Sequence, residues 1–597
     1  MDMERLFRSI SVPVLLGVIV AAVGCPASTE EPKSLQPDAQ AANQPTIDER
    51  TAAPQLPVAE FEQPPILPEG RPLPKLSEEP SSSLREPGLP PDPIVPPDPV
   101  APPDPVAPPK QDDNTKPVGG KSAPKPRTGK HSGETFDPIK ENGPIFVGWE
   151  KPRAAIVITG MEDGYLEPCG CAGLDRMQGG MSRRHTFIEG LRKQGWPLAV
   201  LDAGGIARGF GRQTEMKFQT AIEGKRKMGY DAMAFGTNEL RLPAAELVSV
   251  AAGIDGRPSM FVSANVGLFG FDAGITPYSR IIEAGGLKIG VTAVFGAQYR
   301  KEINNPEIEL KDPVEALRPI AAELKQTADY LVLLAHATTE ESIELSRRFP
   351  EFNAVVTSDG PPTPPAAPTK IEESGALLIN VGHKGMEAIV LGLYDNRPPS
   401  YQRVPLDSRF PASKDMHLLM AAYQEQLKAI GFAGLGLRPV SHPQAESNGR
   451  FVGSEKCKSC HEPSWDVWIR SGHGRAYKTL ADLDPPRNFD PECVSCHVVG
   501  WHPTKYFPYL TGYESLKKTP HLIDTGCETC HGPGEKHCDA ELGTDEKLQA
   551  LYRQAVVITK EESQKSQCAS CHDLDNSPDF DFEAYWPLIE HYEDEEE

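Results

Sequence analysis

Four pentapeptides of the form Cys-x-x-Cys-His lie in the last quarter of this 597-residue chain. They are Cys457-Lys-Ser-Cys460-His461, Cys493-Val-Ser-Cys496-His497, Cys527-Glu-Thr-Cys530-His531 and Cys568-Ala-Ser-Cys571-His572. Two thiols followed at once by an imidazole suit covalent attachment of c-type haem. The thiols form thioethers with the porphyrin, and the histidine becomes the proximal iron ligand. Paired Cys-x-x-Cys units also build zinc sites, and single units serve redox proteins, but neither needs His directly after the second Cys. With 15 histidines in the chain, roughly one residue in forty, four such placements by chance come to about one in a few million. The expectation is four covalent haem c groups, close enough to exchange electrons.

The other cysteines are Cys25, the Cys169-Gly-Cys171 pair and Cys538. Cys169 and Cys171 are too close for an unstrained disulfide; metal binding, contact with the haem region and simple packing all stay open for them, and the role of Cys538 stays open as well. Haem attachment requires reduced thiols outside the cytoplasm, so the chain is expected to be exported. Arg5 and Arg8 precede an apolar run, Val12–Val23, that is too short for a spanning helix. It ends in Ala22-Val23-Gly24-Cys25, which resembles a bacterial lipobox with Ala22 where Leu is usual. Residues 1–25 then read as a signal peptide, Cys25 as the lipidated residue, and the location as periplasmic and lipid-anchored to a bacterial membrane. The net charge of −23 and the tail Glu593-Asp-Glu-Glu-Glu597 argue against nucleic acid and against electrostatic binding to membranes. They suit basic redox partners.

Residues 26–145 hold 29 of the 61 prolines and almost no aromatics, too little apolar surface to offset the entropy of ordering. Three hexapeptides, Pro90-Pro-Asp-Pro-Ile-Val95, Pro96-Pro-Asp-Pro-Val-Ala101 and Pro102-Pro-Asp-Pro-Val-Ala107, predict a stiff polyproline spacer. Residues 146–410 alternate apolar, β-rich runs with helical patterns, which predicts an α/β domain. Strands are expected at Ala154–Thr159, Leu198–Asp202, Asp231–Phe235, Met260–Ala264, Ile289–Val294, Tyr330–Ala335 and Ala354–Thr357. Helices are expected at Thr214–Met228, Pro313–Thr327 and Glu340–Phe349, and antiparallel strands within Ala376–Asp395 and Tyr401–Leu406. Residues 411–450 read as a helical connector, Lys414–Ile430 at its centre. Residues 451–597 are aromatic-rich and irregular, so the haems themselves are expected to form their core.

The run Phe451-Val-Gly-Ser-Glu-Lys-Cys-Lys-Ser-Cys-His461, followed by Trp468 and Ser471-Gly-His473, resembles the tetrahaem cytochrome c-554-like family. So do Gly526-Cys-Glu-Thr-Cys-His-Gly-Pro-Gly-Glu-Lys-His537 and the closing Cys571-His-Asp-Leu-Asp-Asn-Ser-Pro-Asp-Phe-Asp-Phe-Glu-Ala-Tyr-Trp586. The resemblance implies an electron carrier with stacked haems, most of them bis-histidine ligated and one that can be five-coordinate. It puts His473, His537 and His591 forward as distal ligands beside the proximal His461, His497, His531 and His572. His502 and His521 are expected to be surface histidines.

Gly164-Tyr-Leu-Glu-Pro-Cys-Gly-Cys171, Gly179-Gly-Met-Ser-Arg-Arg184, Leu201-Asp-Ala-Gly204 and Met228-Gly-Tyr-Asp-Ala232 resemble calcineurin-like metallophosphoesterases of the five-prime-nucleotidase branch. That family implies an αββα sandwich with two metals that clamp phosphate and activate water. Its ligand positions are largely vacated here. Met161-Glu162-Asp163 stands for Asp-x-His, Gly204-Gly205 for Gly-Asp, Gly236-Thr237-Asn238-Glu239 for Gly-Asn-His-Glu, and Ser358-Asp359-Gly360 for Gly-His-x-His. His336 alone keeps the right chemistry, and His383 falls outside the ligand positions. A divalent metal would have to rely on Glu162, Asp163, Asp202, Glu239 and Asp359.

The expected fold class is therefore a multidomain α+β chain: a Pro-rich linker, a phosphoesterase-like αββα sandwich, then a mostly helical or irregular multihaem domain. The expected function is electron transfer between redox protein partners, with no catalytic residue assigned. Two rivals are a metal-dependent phosphohydrolase or nucleotidase carrying a haem module, and a haem reductase of a small nitrogen or sulfur species at an open iron.

Overall fold

A computed structural model describes residues 136–169, 174–253 and 258–591. Cys25, the signal segment, residues 26–135 of the Pro-rich segment, Cys171 and the acidic tail lie outside the described residues. The last ten residues expected in the linker are ordered, with a helix Pro138–Asn142 held by Arg409, which donates to the Pro138 and Gly143 carbonyls.

The strands are β1 (Ala154–Thr159), β2 (Leu198–Asp202), β3 (Ala232–Met233), β4 (Val266–Leu268), β5 (Ser279–Ala284), β6 (Leu287–Phe295), β7 (Ile308–Leu310), β8 (Tyr330–His336), β9 (Ala354–Thr357), β10 (Thr369–Lys370), β11 (Leu377–Asn380), β12 (Glu387–Leu393) and β13 (Ser400–Pro405). They form a sheet of order β13-β12-β1-β2-β3, a second of order β10-β11-β9-β8-β6-β5, and a short β4–β7 pair. Every residue of β1 is buried, as an apolar strand covered on both faces must be. Its side chains alternate between two cores. Ala154, Ile156 and Ile158 pack with Val332, Leu334 and Val356 of the second sheet. Ala155 and Val157 join Phe187 and Ile222 from the helices Met181–Lys193 and Arg212–Met228. On the far side, Leu331, Leu333 and Val355 pack under the helices Pro313–Thr327 and Thr339–Arg348. The layers are therefore helix, sheet, sheet, helix.

Helix starts follow local chemistry. Asp312 accepts from the N–H groups of Val314 (2.9 Å) and Glu315 (3.0 Å), ahead of Pro313 in the first turn.

Three expectations change. Met260–Ala264 is not a strand and contributes one isolated bridge, Met233 to Phe261. The Ser263 hydroxyl accepts from the N–H groups of Asn265 (3.3 Å) and Val266 (3.1 Å), a local turn that competes with a ladder. The span 376–395 does not form one antiparallel unit. It turns at Gly382 (φ 72°) and Gly385 (φ 55°), sending β11 parallel to β9 in one sheet and β12 antiparallel to β1 in the other. The helix Lys414–Gly434 is more than a connector: Met416, Met420, Tyr423 and Leu427 lie in the same core as the two helices beside the first sheet.

Residues 451–591 form short helices joined by turns. A small apolar nucleus that includes Phe451, Tyr477, Leu480, Val494, Trp501 and Tyr513 surrounds the second Cys-x-x-Cys-His motif. Side chains thus supply part of a core expected to be haem alone. Among the described residues no helix is long and apolar enough to cross a membrane.

Candidate functional site

Each motif is wound into about one helical turn. His461 N–H donates to the Cys457 carbonyl (2.9 Å) and His572 N–H to that of Cys568 (2.8 Å). The second and third motifs sit in the helices Pro491–His497 and Cys527–His531. Helical spacing puts the first cysteine and the histidine on one face, where two thioethers and an imidazole can address one porphyrin. The Cys457 thiol lies beside that of Cys527, and the Cys496 thiol beside that of Cys571. Attachment points of the first and third motifs therefore adjoin, as do those of the second and fourth.

The histidines pair across the fold. His461 faces His537 with ring centres 6.0 Å apart, His473 faces His572 at 6.0 Å, and His531 faces His591 at 5.9 Å. Two metal–imidazole bonds of about 2 Å each, on opposite sides of one metal, set ring centres about 6 Å apart. The spacing fits an iron between each pair. Among the described residues, no second imidazole stands at such a separation from His497. A crevice lined by Cys457, His461, Trp465, Trp468 and His473 is continuous with Cys527, Cys530, His531 and His591, mostly apolar as a porphyrin face requires.

Hydrogen bonds set the ring orientations. The Nδ1 atoms of His497, His531 and His591 lie 2.6, 2.7 and 2.8 Å from the carbonyls of Ala476, Val556 and Ile589, and His572 Nδ1 lies 3.0 Å from Ser577 Oγ. An Nδ1–H donated there leaves Nε2 as the metal-ligating atom. Burial pushes His473 down to about 4, which keeps this imidazole neutral at ordinary pH. His521 is exposed, and His502 packs against Phe507 at a tilt, with ring centres 5.0 Å apart.

Two residues that the sequence analysis passed over hold this arrangement together. The buried Glu528, an x of the third motif, accepts from the N–H groups of Val452 (2.9 Å), Gly453 (2.7 Å) and Gly534 (2.8 Å). It ties the lead-in to the first motif and the turn before His537 to its own motif. Nothing local marks a glutamate for that task. Asp490 could have been found, since Asp490-Pro491 is a helix-start signal. Its carboxylate accepts from Glu492 N–H (3.1 Å), Gln213 Nε2 (2.9 Å) and Gln424 Nε2 (3.1 Å), so it caps the second motif's helix and fastens it to the middle domain.

That fastening continues. Arg487 Nη1 donates to the carbonyls of Pro168 (2.8 Å) and Cys169 (3.1 Å), Lys217 pairs with Glu492 (2.7 Å), Arg176 with Asp579 (2.9 Å) and Lys384 with Asp575. Each of these contacts reaches a segment carrying or flanking the second or fourth motif. Of the options open for Cys169, its backbone meets the haem region; Cys538 is half-buried on the helix after His537.

The phosphoesterase-like strand ends have closed on themselves. A side chain at Gly205 (φ 76°) would run into Met161 Sδ. His336 Nε2 lies 3.1 Å from both the N–H and the Oγ1 of Thr237, and burial pushes this histidine down to about 4. The carboxylates disperse. Glu162 binds Arg184 and Lys225 (2.6 Å to Lys225), Asp202 binds Lys225 and Thr159 (2.6 Å to Thr159), Asp359 binds Thr339 (2.9 Å), and Glu239 accepts from Ala207 N–H (2.6 Å). Among the described residues no group of three or more His, Cys, Asp and Glu side chains stands close enough to hold a metal ion. Gly205→Asp is expected to restore no phosphate-ester hydrolysis and to cost about 1–3 kcal/mol, since it adds a side chain at positive φ and displaces Met161. Urea titration and a phosphatase assay with added Mn check both parts.

Burial raises the Glu239 carboxyl to about 7 from its ordinary 4.5. The folded state therefore holds a proton that the unfolded chain releases between pH 4.5 and about 7, and stability declines as pH rises through that window. Glu239→Gln keeps the acceptor for Ala207 and has nothing to titrate. The variant's melting temperature is expected to fall less than the parent's across that window; equal slopes would reject the assignment.

The chain thus combines a double-sheet α/β domain, similar to phosphoesterases, with a cysteine- and histidine-lined module similar to haem c cytochromes. Comparison with known proteins gives the same division. The family described as cytochrome c554 and c-prime matches residues 456–532. Cytochrome c-554 of Nitrosomonas europaea is 32% identical over 120 residues, 18% of this chain and 48% of that protein. The 5'-nucleotidase of Vibrio cholerae is 30% identical over 172 residues, 26% of this chain and 30% of that protein. A 5'-nucleotidase precursor of Thermus thermophilus has a solved structure covering 46% of this chain and 59% of its own, at 19% identity and a TM-score of 0.39. The chain thus spans about half the length of its cytochrome relative and under a third of the nucleotidase.

Proposed function

We propose that this protein is an exported, lipid-anchored tetrahaem c-type cytochrome that carries electrons between redox proteins, with the middle domain as a non-catalytic support. The observation that carries the reading is the set of three histidine pairs with ring centres 5.9–6.0 Å apart. Haem c, when bound, supplies one-electron chemistry whose potential follows its axial ligands and burial. The chain's part is to hold two imidazoles rigidly on either side of an iron, so that no ligand is gained or lost as charge changes. His461 with His537, His572 with His473, and His531 with His591 take that role. The adjoining attachment points of the first and third motifs, and of the second and fourth, favour transfer within each pair. Cys25 would carry the anchor and residues 26–135 the tether.

The test is a pyridine haemochrome count with a reversible redox titration of the matured protein. Four haems, reduced and reoxidised in steps, support the reading; a count well below four overturns it. His497, which no second imidazole faces among the described residues, favours a second reading, in which an iron held there would bind a small molecule such as nitric oxide or hydroxylamine. A high-spin optical band that shifts when either is added would move the protein toward a reductase.

A further inference from the structure

We propose that the helices Glu535–Glu541 and Glu546–Ala555 form the docking face for a small, lysine-rich electron-transfer protein, and that electrons cross there to and from the first and third haem sites. The inference rests on the electron-carrier reading and adds to it a port and the charge of the partner.

One side of the haem module is already taken. The middle domain reaches segments around the second and fourth motifs through Asp490, Glu492, Asp575, Asp579 and Arg487. The helix pair belongs to the other two motifs. Its first helix carries His537, paired with His461 of the first motif. Its second ends at Ala555, and the next carbonyl, that of Val556, accepts from His531 of the third motif at 2.7 Å. One surface therefore backs a ligand candidate at each of two irons. It is also braced: Arg553 Nε and Nη2 bind both oxygens of Glu541 at 2.7 Å, and Asp545 accepts from the N–H groups of Lys547 (3.0 Å) and Leu548 (3.3 Å).

The helix pair exposes apolar side chains and carries more acids than bases. Leu542 is 87% exposed, Leu551 58% and Val557 66%, and the helix Glu546–Ala555 buries no residue at all. Clustered exposed leucines mark association surfaces rather than ordinary exterior. Residues 535–562 contain seven acids and four bases. Three of the bases are engaged, Arg553 with Glu541, Lys536 with the Glu446 carbonyl (2.5 Å) and Lys560 with Glu583 (3.2 Å); of the acids, Glu541 and Glu535 are paired, with Arg553 and Arg450. Asp539, Asp545 and Glu546 stand on the same helix pair as the exposed leucines, on a chain whose net charge is −23. Exposed apolar side chains among acids fit a partner with lysines around an apolar contact; the charges steer the encounter and the apolar contact holds it.

The experiment uses the full-length, haem-loaded protein and a lysine-rich monohaem cytochrome c as the probe, with stopped-flow rates at several salt concentrations. Parent, Leu548→Lys/Leu551→Lys and the control Leu418→Lys are compared; Leu418 is exposed on the middle domain. The expected result is a parent rate that falls with salt, a loss of about tenfold or more in the double variant, and no change in the control. Equal rates in parent and double variant, or a parent rate indifferent to salt, overturn the proposal. So does a double variant whose effect is confined to breaking a dimer in sedimentation, which would assign the face to a second copy. Full recovery of the double variant's rate on deleting residues 26–135 would assign the face to the chain's own N-terminal segment and also overturn it. Reduction by a small diffusible mediator needs no docking face; its failure would count against the electron-carrier reading itself, separately from the port.

Discussion

His473→Ala is expected to convert one iron from low-spin to high-spin and leave the haem count unchanged. The imidazole stands 6.0 Å, centre to centre, from that of His572, with Trp468 Nε1 bonded to the Thr525 carbonyl (2.9 Å) and Ser471 Oγ to the Trp468 carbonyl (2.6 Å) just ahead of it. The backbone carrying His473 is therefore held, and truncation empties a site that its neighbours are not free to fill. With no sixth ligand, the motif-four iron should gain affinity for added cyanide or nitric oxide, and its potential should shift as axial ligation weakens. In the electron paramagnetic resonance spectrum, parent protein should show three low-spin irons and one high-spin iron, the latter at His497. The variant should show two of each. His537→Ala and His591→Ala should each do the same at the first and third motifs, whereas His502→Ala should change nothing. An unaltered spin count in His473→Ala would falsify the pairing.

Chain produced without haem attachment is expected to lose structure from about residue 450 onward while the middle domain stays folded. The reason is the distribution of buried apolar surface. Three clusters hold the double sheet and its helices, whereas the haem region has one small nucleus around the second motif. The helices beyond Glu535 bury almost nothing. Each residue ordered costs about 1–2 kcal/mol of backbone entropy, and without haem the region has little beyond that one nucleus to offset it. Limited proteolysis should leave a resistant fragment ending near residue 435. The contacts through Asp490, Glu492, Asp575 and Asp579 should disappear with the haems, because they sit on motif segments. A protease-resistant haem-free C-terminal region would show that side chains alone suffice there.

Much of the middle domain could be read residue by residue. The bounds of β1, β2, β9 and the helix Pro313–Thr327 follow from apolar runs and an Asp-Pro start, local signals that tertiary packing reinforced. Met260–Ala264 was misread because its apolar run carries a serine turn, and a hydroxyl that satisfies two backbone N–H groups removes the need for a partner strand. That other residues stand at the positions resembling phosphoesterase ligand sites was legible in the sequence. How the vacated space closed, Met161 against Gly205 and Lys225 between Glu162 and Asp202, was not, because those contacts join separate strand ends and a helix.

By itself the sequence determined where haem can attach, since Cys-x-x-Cys-His is complete within one helical turn and needs no distant residue. It also determined the alternation of strand and helix, a matter of local periodicity. Only the tertiary structure decided which histidine faces which motif. His461 meets His537, His572 meets His473 and His531 meets His591 across intervals of 60 to 99 residues. No spacing rule reaches that far. Glu528 and Asp490 bring those segments together by hydrogen bonds to partners far along the chain, and such partners exist only once the chain has folded.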